Sequence, residues 1–161
     1  MLTIFQAETP QQIAAARELM IEYATALGFD LCFQNFDEEM RTLPGKYAPP
    51  AGRILLANWN GQAAGVIAMR PLDEAGACEM KRLFVRPAFR GRSLGRALAE
   101  RLIAEATAIG YRRMRLDTIQ GTMDQAIVLY RAMGFYEIPA YYPSPVRETL
   151  FLELQLVSKE K

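Results

Sequence analysis

The sequence predicts a mixed α/β (α+β) fold, a single domain in which one sheet of about seven strands is flanked by about four helices. Three observations carry that expectation. Strand-length apolar or alternating runs, helical repeats of apolar residues and glycine or proline breaks succeed one another along the chain without an internal repeat or a linker. Their order is a strand and two helices, three strands, a helix, a strand, a helix and two strands. The 161 residues suit one domain, and 51% of them are apolar, enough for a substantial core.

Residues 2–7 are the first strand candidate. Thr9-Pro10-Gln11-Gln12 then joins an N-cap, a first-turn proline and a glutamine three positions on, a capping-box start. Ile13, Met20, Tyr23 and Leu27 follow near one helical face, and Gly28 is placed to stop the helix. Residues 35–43 read as a short helix, and LPGKYAPPAG is a proline- and glycine-rich loop. Two apolar runs, 53–59 and 62–70, are joined by Asn60-Gly61, the strongest short-range sign of a two-residue hairpin. Residues 78–85 make the next strand, ended by Arg86-Pro87 because proline offers no N–H to a continuing ladder. Leu94, Leu98, Leu102 and Ile109 trace a helix face up to Gly110, and RMRLDTI over 113–119 alternates as a strand does. Thr122-Met123-Asp124-Gln125 is a second capping-box start, leading a helix through Tyr130 to Met133 with Gly134 as its stop. Residues 135–138 and 150–157 are the last two strands, paired across the loop AYYPSPVRE.

Composition excludes several chemistries. Nineteen basic against 18 acidic side chains leave a net charge of +1, so no nucleic acid partner is expected. There is no histidine, which removes histidine-based triads, imidazole shuttles and most zinc sites, and no metal is expected. Cys32 and Cys78 form no Cys-x-x-Cys unit, so reduced thiols and a cytoplasmic location are the simplest expectation. The first residues show no basic leader before an apolar run, and no apolar stretch approaches the roughly 18 residues of a membrane helix, so no membrane partner is expected either.

Between Glu79 and Glu100 stand Lys81, Arg82, Arg86, Arg90, Arg92 and Arg96, and no acid. Positive charge is thus gathered where a strand turns into a helix. The first turn of a helix leaves N–H groups unpaired and carries the positive end of the dipole, while Gly91 and Gly95 let a phosphate approach the backbone. An anion site and a solvated basic face are both open readings at this point. The G-x-x-x-x-G-K-S/T loop is absent and RGRSLGRAL does not supply G-x-G-x-x-G, so triphosphatase and dinucleotide readings lack support.

A strand followed by RPAFRGRSLGRAL, a helix, RMRLDT and then AIVLYRAMGF resembles the GCN5-related N-acetyltransferase (GNAT) family, in element order across almost the whole chain. The resemblance implies a mostly antiparallel sheet and an enzyme that moves an acetyl group from acetyl-coenzyme A to a primary amine of a small molecule, peptide or protein. The attack would be direct, within a ternary complex. In the family the pattern Q/R-x-x-G-x-G/A cradles the pyrophosphate; here it is Arg90, Gly91, Arg92, Ser93, Leu94 and Gly95, followed by Arg96. Backbone N–H groups of Leu83, Phe84 and Val85, on a strand that splays from its neighbour, would hold the thioester carbonyl and the pantetheine arm. Ser93 stands where the family usually has glycine; serine is a favoured N-cap, and its hydroxyl can donate to a phosphate oxygen. Met123 stands where relatives often carry a cofactor-contacting asparagine. These departures keep a second reading in play, a catalytically silent acyl-coenzyme A-binding sensor or interaction module.

Acetyl transfer needs a neutral amine, donors for a developing oxyanion and a proton for the leaving thiolate. Tyr130 matches the tyrosine that many members place near the coenzyme sulfur as general acid; a phenol of pKa about 10 protonates a thiolate of conjugate-acid pKa about 8.5 with a modest mismatch. Its other reading is packing of the last helix. Glu79 lies eleven residues before Arg90, the interval of the glutamate base in histone-acetylating relatives, and is the preferred base, although Lys81 and Arg82 offer it structural pairs. Asp117 and water are the competing bases. Cys78 reads as a buried structural thiol, since no histidine is present to activate it.

By resemblance the acceptor pocket is built from residues 29–47 and 140–148. Phe33, Phe36, Tyr47, Tyr141 and Tyr142 would line it, with Asp30, Asp37, Glu38 or Glu39 attracting a cation. The implied partners are acetyl-coenzyme A and an amine acceptor, and a homodimer is compatible with such folds.

Overall fold

The computed structural model describes residues 1–27 and 35–156. The expectations resting on Gly28, Phe29, Asp30, Cys32, Phe33 and the end of the last strand at residue 157 lie outside the described residues. The elements are β1 (Leu2–Gln6), α1 (Pro10–Leu27), α2 (Phe36–Arg41), β2 (Arg53–Trp59), β3 (Gln62–Pro71), β4 (Ala77–Val85), α3 (Leu94–Ile109), β5 (Arg113–Ile119), α4 (Asp124–Ala132), β6 (Tyr136–Ile138) and β7 (Thr149–Gln155), with single 3-10 turns at Gly45–Tyr47 and Pro87–Phe89. Among the described residues one sheet in the order β1-β2-β3-β4-β5-β7-β6 takes all seven strands, and only β4 and β5 run parallel.

Local chemistry explains most boundaries. The first capping box forms: Gln12 N–H donates to Thr9 Oγ1 at 3.1 Å and Thr9 N–H to Gln12 Oε1 at 3.1 Å. The second does not. Met123 is the residue before α4, without a side-chain cap, and Asp124 Oδ1 instead accepts from the N–H of Gly121 at 2.7 Å, so the start slips by one residue. Asn60 and Gly61 both have positive φ, 52° and 83°, the geometry of the tight hairpin that their sequence predicts.

Each face of the sheet carries its own apolar layer. Leu55, Ile67, Met69, Cys78, Met80, Met114 and Leu116 pack against α3 and α4, while Ile54, Leu56, Val66, Ala68 and Phe84 pack against α1 and α2. Phe84 is even-numbered like Cys78 and Met80, yet it lies on the opposite face. The cause is a β-bulge: Ala68 pairs with Lys81 and Val66 with Phe84, so Arg82 and Leu83 together oppose Ile67. Arg82 absorbs the kink with φ of 64°.

The parallel contact is short. β4 and β5 are in register only at Ala77 with Arg113, Cys78 with Met114 and Glu79 with Arg115. Beyond Glu79 the two strands diverge and the ladder between them ends.

Candidate active site

The divergence opens a cleft of about 80 Å³ lined by Tyr23, Met80, Lys81, Arg82, Leu83, Leu116, Asp117, Thr118, Met123, Ala126 and Tyr130. Four elements meet there: α1 supplies Tyr23, the bulge of β4 supplies Lys81 to Leu83, β5 supplies Asp117, and α4 supplies Tyr130. Three of the residues singled out from sequence, Leu83, Asp117 and Tyr130, are thereby brought together; Glu79 does not line this cleft and is the last β4 residue in register with β5.

The α3 end of β4 forms the second part of the site. Gly91 and Ser93 both take left-handed conformations, with φ of 84° and 61°. Alternating left-handed residues turn successive N–H groups toward one concave side, a geometry that favours anions. The N–H groups of residues 91–96 donate to no acceptor among the described residues, and the first bond of the helix runs from Ala97 N–H to the Ser93 carbonyl at 3.0 Å. Arginine side chains brace this cradle. Arg90 Nε donates to the Val85 carbonyl at 2.9 Å, Arg92 lies 4.9 Å over the Trp59 ring, and Arg96 pairs with Glu100 at 3.0 Å.

Ser93 corrects the expectation of a side-chain cap: it occupies the N-cap position but its hydroxyl makes no cap bond. What the position demands is positive φ, the demand glycine meets without a steric cost. Relief of about 1–2 kcal/mol of left-handed strain outweighs the roughly 0.5–1 kcal/mol of backbone entropy that glycine forfeits, so Ser93→Gly is expected to raise Tm, by up to about 6 °C. A lower Tm in a thermal melt would count against strain at this residue. Met123 also has a local role, since Thr118 Oγ1 donates to its sulfur at 3.3 Å.

Glu79 is 1% exposed, and its partner differs from the neighbours in sequence. Arg70 stands directly across from it on β3 and donates from Nε to Oε1 at 2.9 Å, while the Tyr141 hydroxyl donates to Oε2 at 2.7 Å. Arg82 turns instead to α2, where it grips both oxygens of Glu39 at 2.8 and 3.0 Å between the rings of Tyr23 and Phe36. Asp117 accepts from the Tyr142 hydroxyl. The loop between β6 and β7 therefore reaches both β4 and β5 through adjacent tyrosines. Their rings pack edge-on to each other at 5.6 Å and to Phe151 at 5.2 Å.

Burial acts on the protons of the cleft. It pushes the phenols of Tyr130 and Tyr23 well above the ordinary range and the ammonium of Lys81 down, so each group is driven toward its neutral form. It likewise raises the Cys78 thiol to about 12, helped by the Glu79 charge, and the S–H points at the Arg113 carbonyl at 3.6 Å. That thiol is structural.

The expected acceptor residues divide. A cavity of about 250 Å³ is lined by Glu38, Glu39, Tyr47 and Arg70 among others, but Phe36 and Tyr47 are core residues, and Tyr47 enters the site through its hydroxyl, which donates to Glu39 at 2.8 Å. Asp37 is exposed and lines neither hollow. Arg70, Tyr23 and Arg115 were not singled out for the site by their sequence context; the Arg70–Glu79 pair would have emerged from extending the β3–β4 register through its turn.

Comparison with known proteins identifies a family and a shared fold. A model of the acetyltransferase (GNAT) family matches residues 14–135. An uncharacterised N-acetyltransferase of Schizosaccharomyces pombe is 37% identical over 156 residues, 96% of this chain and 95% of that one. Two solved structures share the fold. The GNAT-family acetyltransferase from Staphylococcus aureus is 20% identical with a TM-score of 0.80, covering 98% of this chain and 100% of that one. The ribosomal-protein-S18-alanine N-acetyltransferase from Escherichia coli is 25% identical with a TM-score of 0.73, covering 100% of this chain and 97% of that one.

Proposed function

The chain belongs to the GNAT acetyltransferase family, and on that premise we propose that residues 1–161 act as a single N-acetyltransferase domain using acetyl-coenzyme A and a primary amine. The observation that carries the reading is the edge where β4 parts from β5 beyond Glu79, followed along the chain by the N–H cradle at the start of α3. An extended amide-containing arm that ends in a diphosphate is what such an edge and cradle suit. When bound, acetyl-coenzyme A supplies an acetyl group activated as a thioester.

The chain's own residues then have distinct tasks. The N–H groups of residues 91–96 hold the diphosphate, and backbone groups of Leu83 to Val85 orient the arm and the thioester carbonyl. Tyr130 keeps its phenolic proton, as burial dictates, and delivers it to the departing sulfur. Glu79 takes the proton of the amine, with Arg70 fixing its orientation. Asp117, opposite on β5, orients the acceptor. Proximity within the ternary complex supplies much of the rate.

Titration calorimetry with coenzyme A tests the cradle. A side chain at Gly91 meets no protein atom within 4 Å, so packing does not forbid Gly91→Val; the φ of 84° and the branched bulk in the phosphate space do the damage. Affinity is expected to fall at least about tenfold, or about 1.4 kcal/mol. Unchanged affinity would remove the cradle from the reading.

A further inference from the structure

Both oxygens of Glu79 are covered, Oε1 by Arg70 at 2.9 Å and Oε2 by Tyr141 at 2.7 Å, and the residue is 1% exposed. An amine on the acceptor side therefore meets one of these donors before it meets the carboxylate. Arg70 cannot pass a proton on, because a guanidinium does not give one up in a protein. Tyr141 can, because a hydroxyl donates and accepts at once. Its ring is half-buried, unlike the enclosed Glu79, and it is fixed by the edge contacts with Tyr142 and Phe151 and by the Arg115 guanidinium 5.7 Å over its face.

We propose that the acceptor amine loses its proton to Glu79 through Tyr141, which serves as a relay. The inference rests on the reading of Glu79 as the base. As the ammonium N–H bond breaks, its proton bonds to the phenolic oxygen of Tyr141. In the same step the original phenol O–H bond breaks and that proton bonds to Oε2 of Glu79. The products are a neutral amine, a protonated Glu79 and an unchanged phenol. No phenolate accumulates, in keeping with burial and with the charges of Glu79 and Asp117, which push its titration far upward. The groups that face this pair are Arg70 from β3, Lys81 from β4, Arg115 and Asp117 from β5, Tyr142 from the loop, and Tyr47 beside Arg70.

The test is kcat against pH, at saturating substrates, for the wild type, Tyr141→Phe, Glu79→Gln and the double variant, with coenzyme A affinity and Tm as controls. Tyr141→Phe keeps the ring and its packing. Its kcat is expected to fall about 10²-fold at neutral pH. It should then climb about tenfold per pH unit, because only amine already deprotonated in solution reacts. The double variant should be no slower than the slower single one. If Glu79→Gln keeps wild-type kcat at every pH, the base assignment fails and the relay with it. If Glu79→Gln is slow while Tyr141→Phe keeps the wild-type profile, or if the two losses multiply, the relay alone is overturned. A Tyr141→Phe loss confined to acceptor KM or accompanied by a lower Tm, with the profile unchanged in shape, also overturns it.

Discussion

Phenylalanine at position 130 is expected to lower kcat by about 10²- to 10⁴-fold, the range for loss of a positioned acid, while coenzyme A affinity stays at the wild-type value. The substitution removes one oxygen and keeps the ring, which is 7% exposed and packs on Phe135 at 5.6 Å, so Tm should change little. The hydroxyl bonds to no described residue and faces the cleft, so its removal breaks no internal hydrogen bond there. Because burial holds the phenol protonated well beyond its ordinary range, the wild type should show no loss of kcat from Tyr130 as pH rises toward about 10. Steady-state kinetics over the full pH range decides the matter. Undiminished turnover throughout would hand the acid's role to water.

The largest effect on stability is expected from Arg82→Met. Arg82 is buried beneath α2 with its fork on Glu39, whose side chain is 15% exposed. Removal of the arginine strands that carboxylate, at a cost of about 3–5 kcal/mol, which for a chain of this size lowers Tm by roughly 6–20 °C. The double variant Arg82→Met, Glu39→Leu should recover most of the loss, since a buried pair replaced as a unit leaves no lone charge. A single variant that melts within 2 °C of the wild type, by about the precision of such scans, would show the pair to be dispensable. Acid should bring the two proteins closer together in stability. Burial raises the Glu39 carboxyl, but the hydrogen bonds and charge of Arg82, with Tyr47, outweigh it and leave it below its ordinary 4.5. The pair's contribution is then complete above about 4.5 and is lost as pH falls through the lower folded value. The acid limb of stability should accordingly be shallower without Arg82.

Periodicity and turn chemistry made most of the fold readable. Alternation placed the strands, Asn60-Gly61 marked its hairpin, and the first capping box started α1 where it does. The basic stretch before α3 and, through the family resemblance, the interval from Glu79 to Arg90 gave the candidate site its cradle and its candidate base. What escaped was whatever depends on register. The extra residue at Arg82 and Leu83 throws Phe84 to the other face, and nothing in KRLFV announces it, because a bulge is set by the partner strand and the elements packed above. The partners of Glu79 escaped in two ways: Arg70, nine residues away, needed the β3–β4 register carried through its turn, whereas Tyr141, sixty-two residues away, becomes a neighbour only in the folded protein. Ser93 shows a further limit, since a residue type that favours caps sits at the cap position for its backbone angle alone.

Three residue pairs are all that tie β4 to β5. The sheet is therefore two leaves on a short spine, and in the proposed function a guest lying along the gap would add rungs between them. Amide hydrogens of β4 and β5 that point into the gap, unlike those laddered to β3 and β7, should exchange more slowly when the guest is present, so its occupancy is written into the breathing of the sheet.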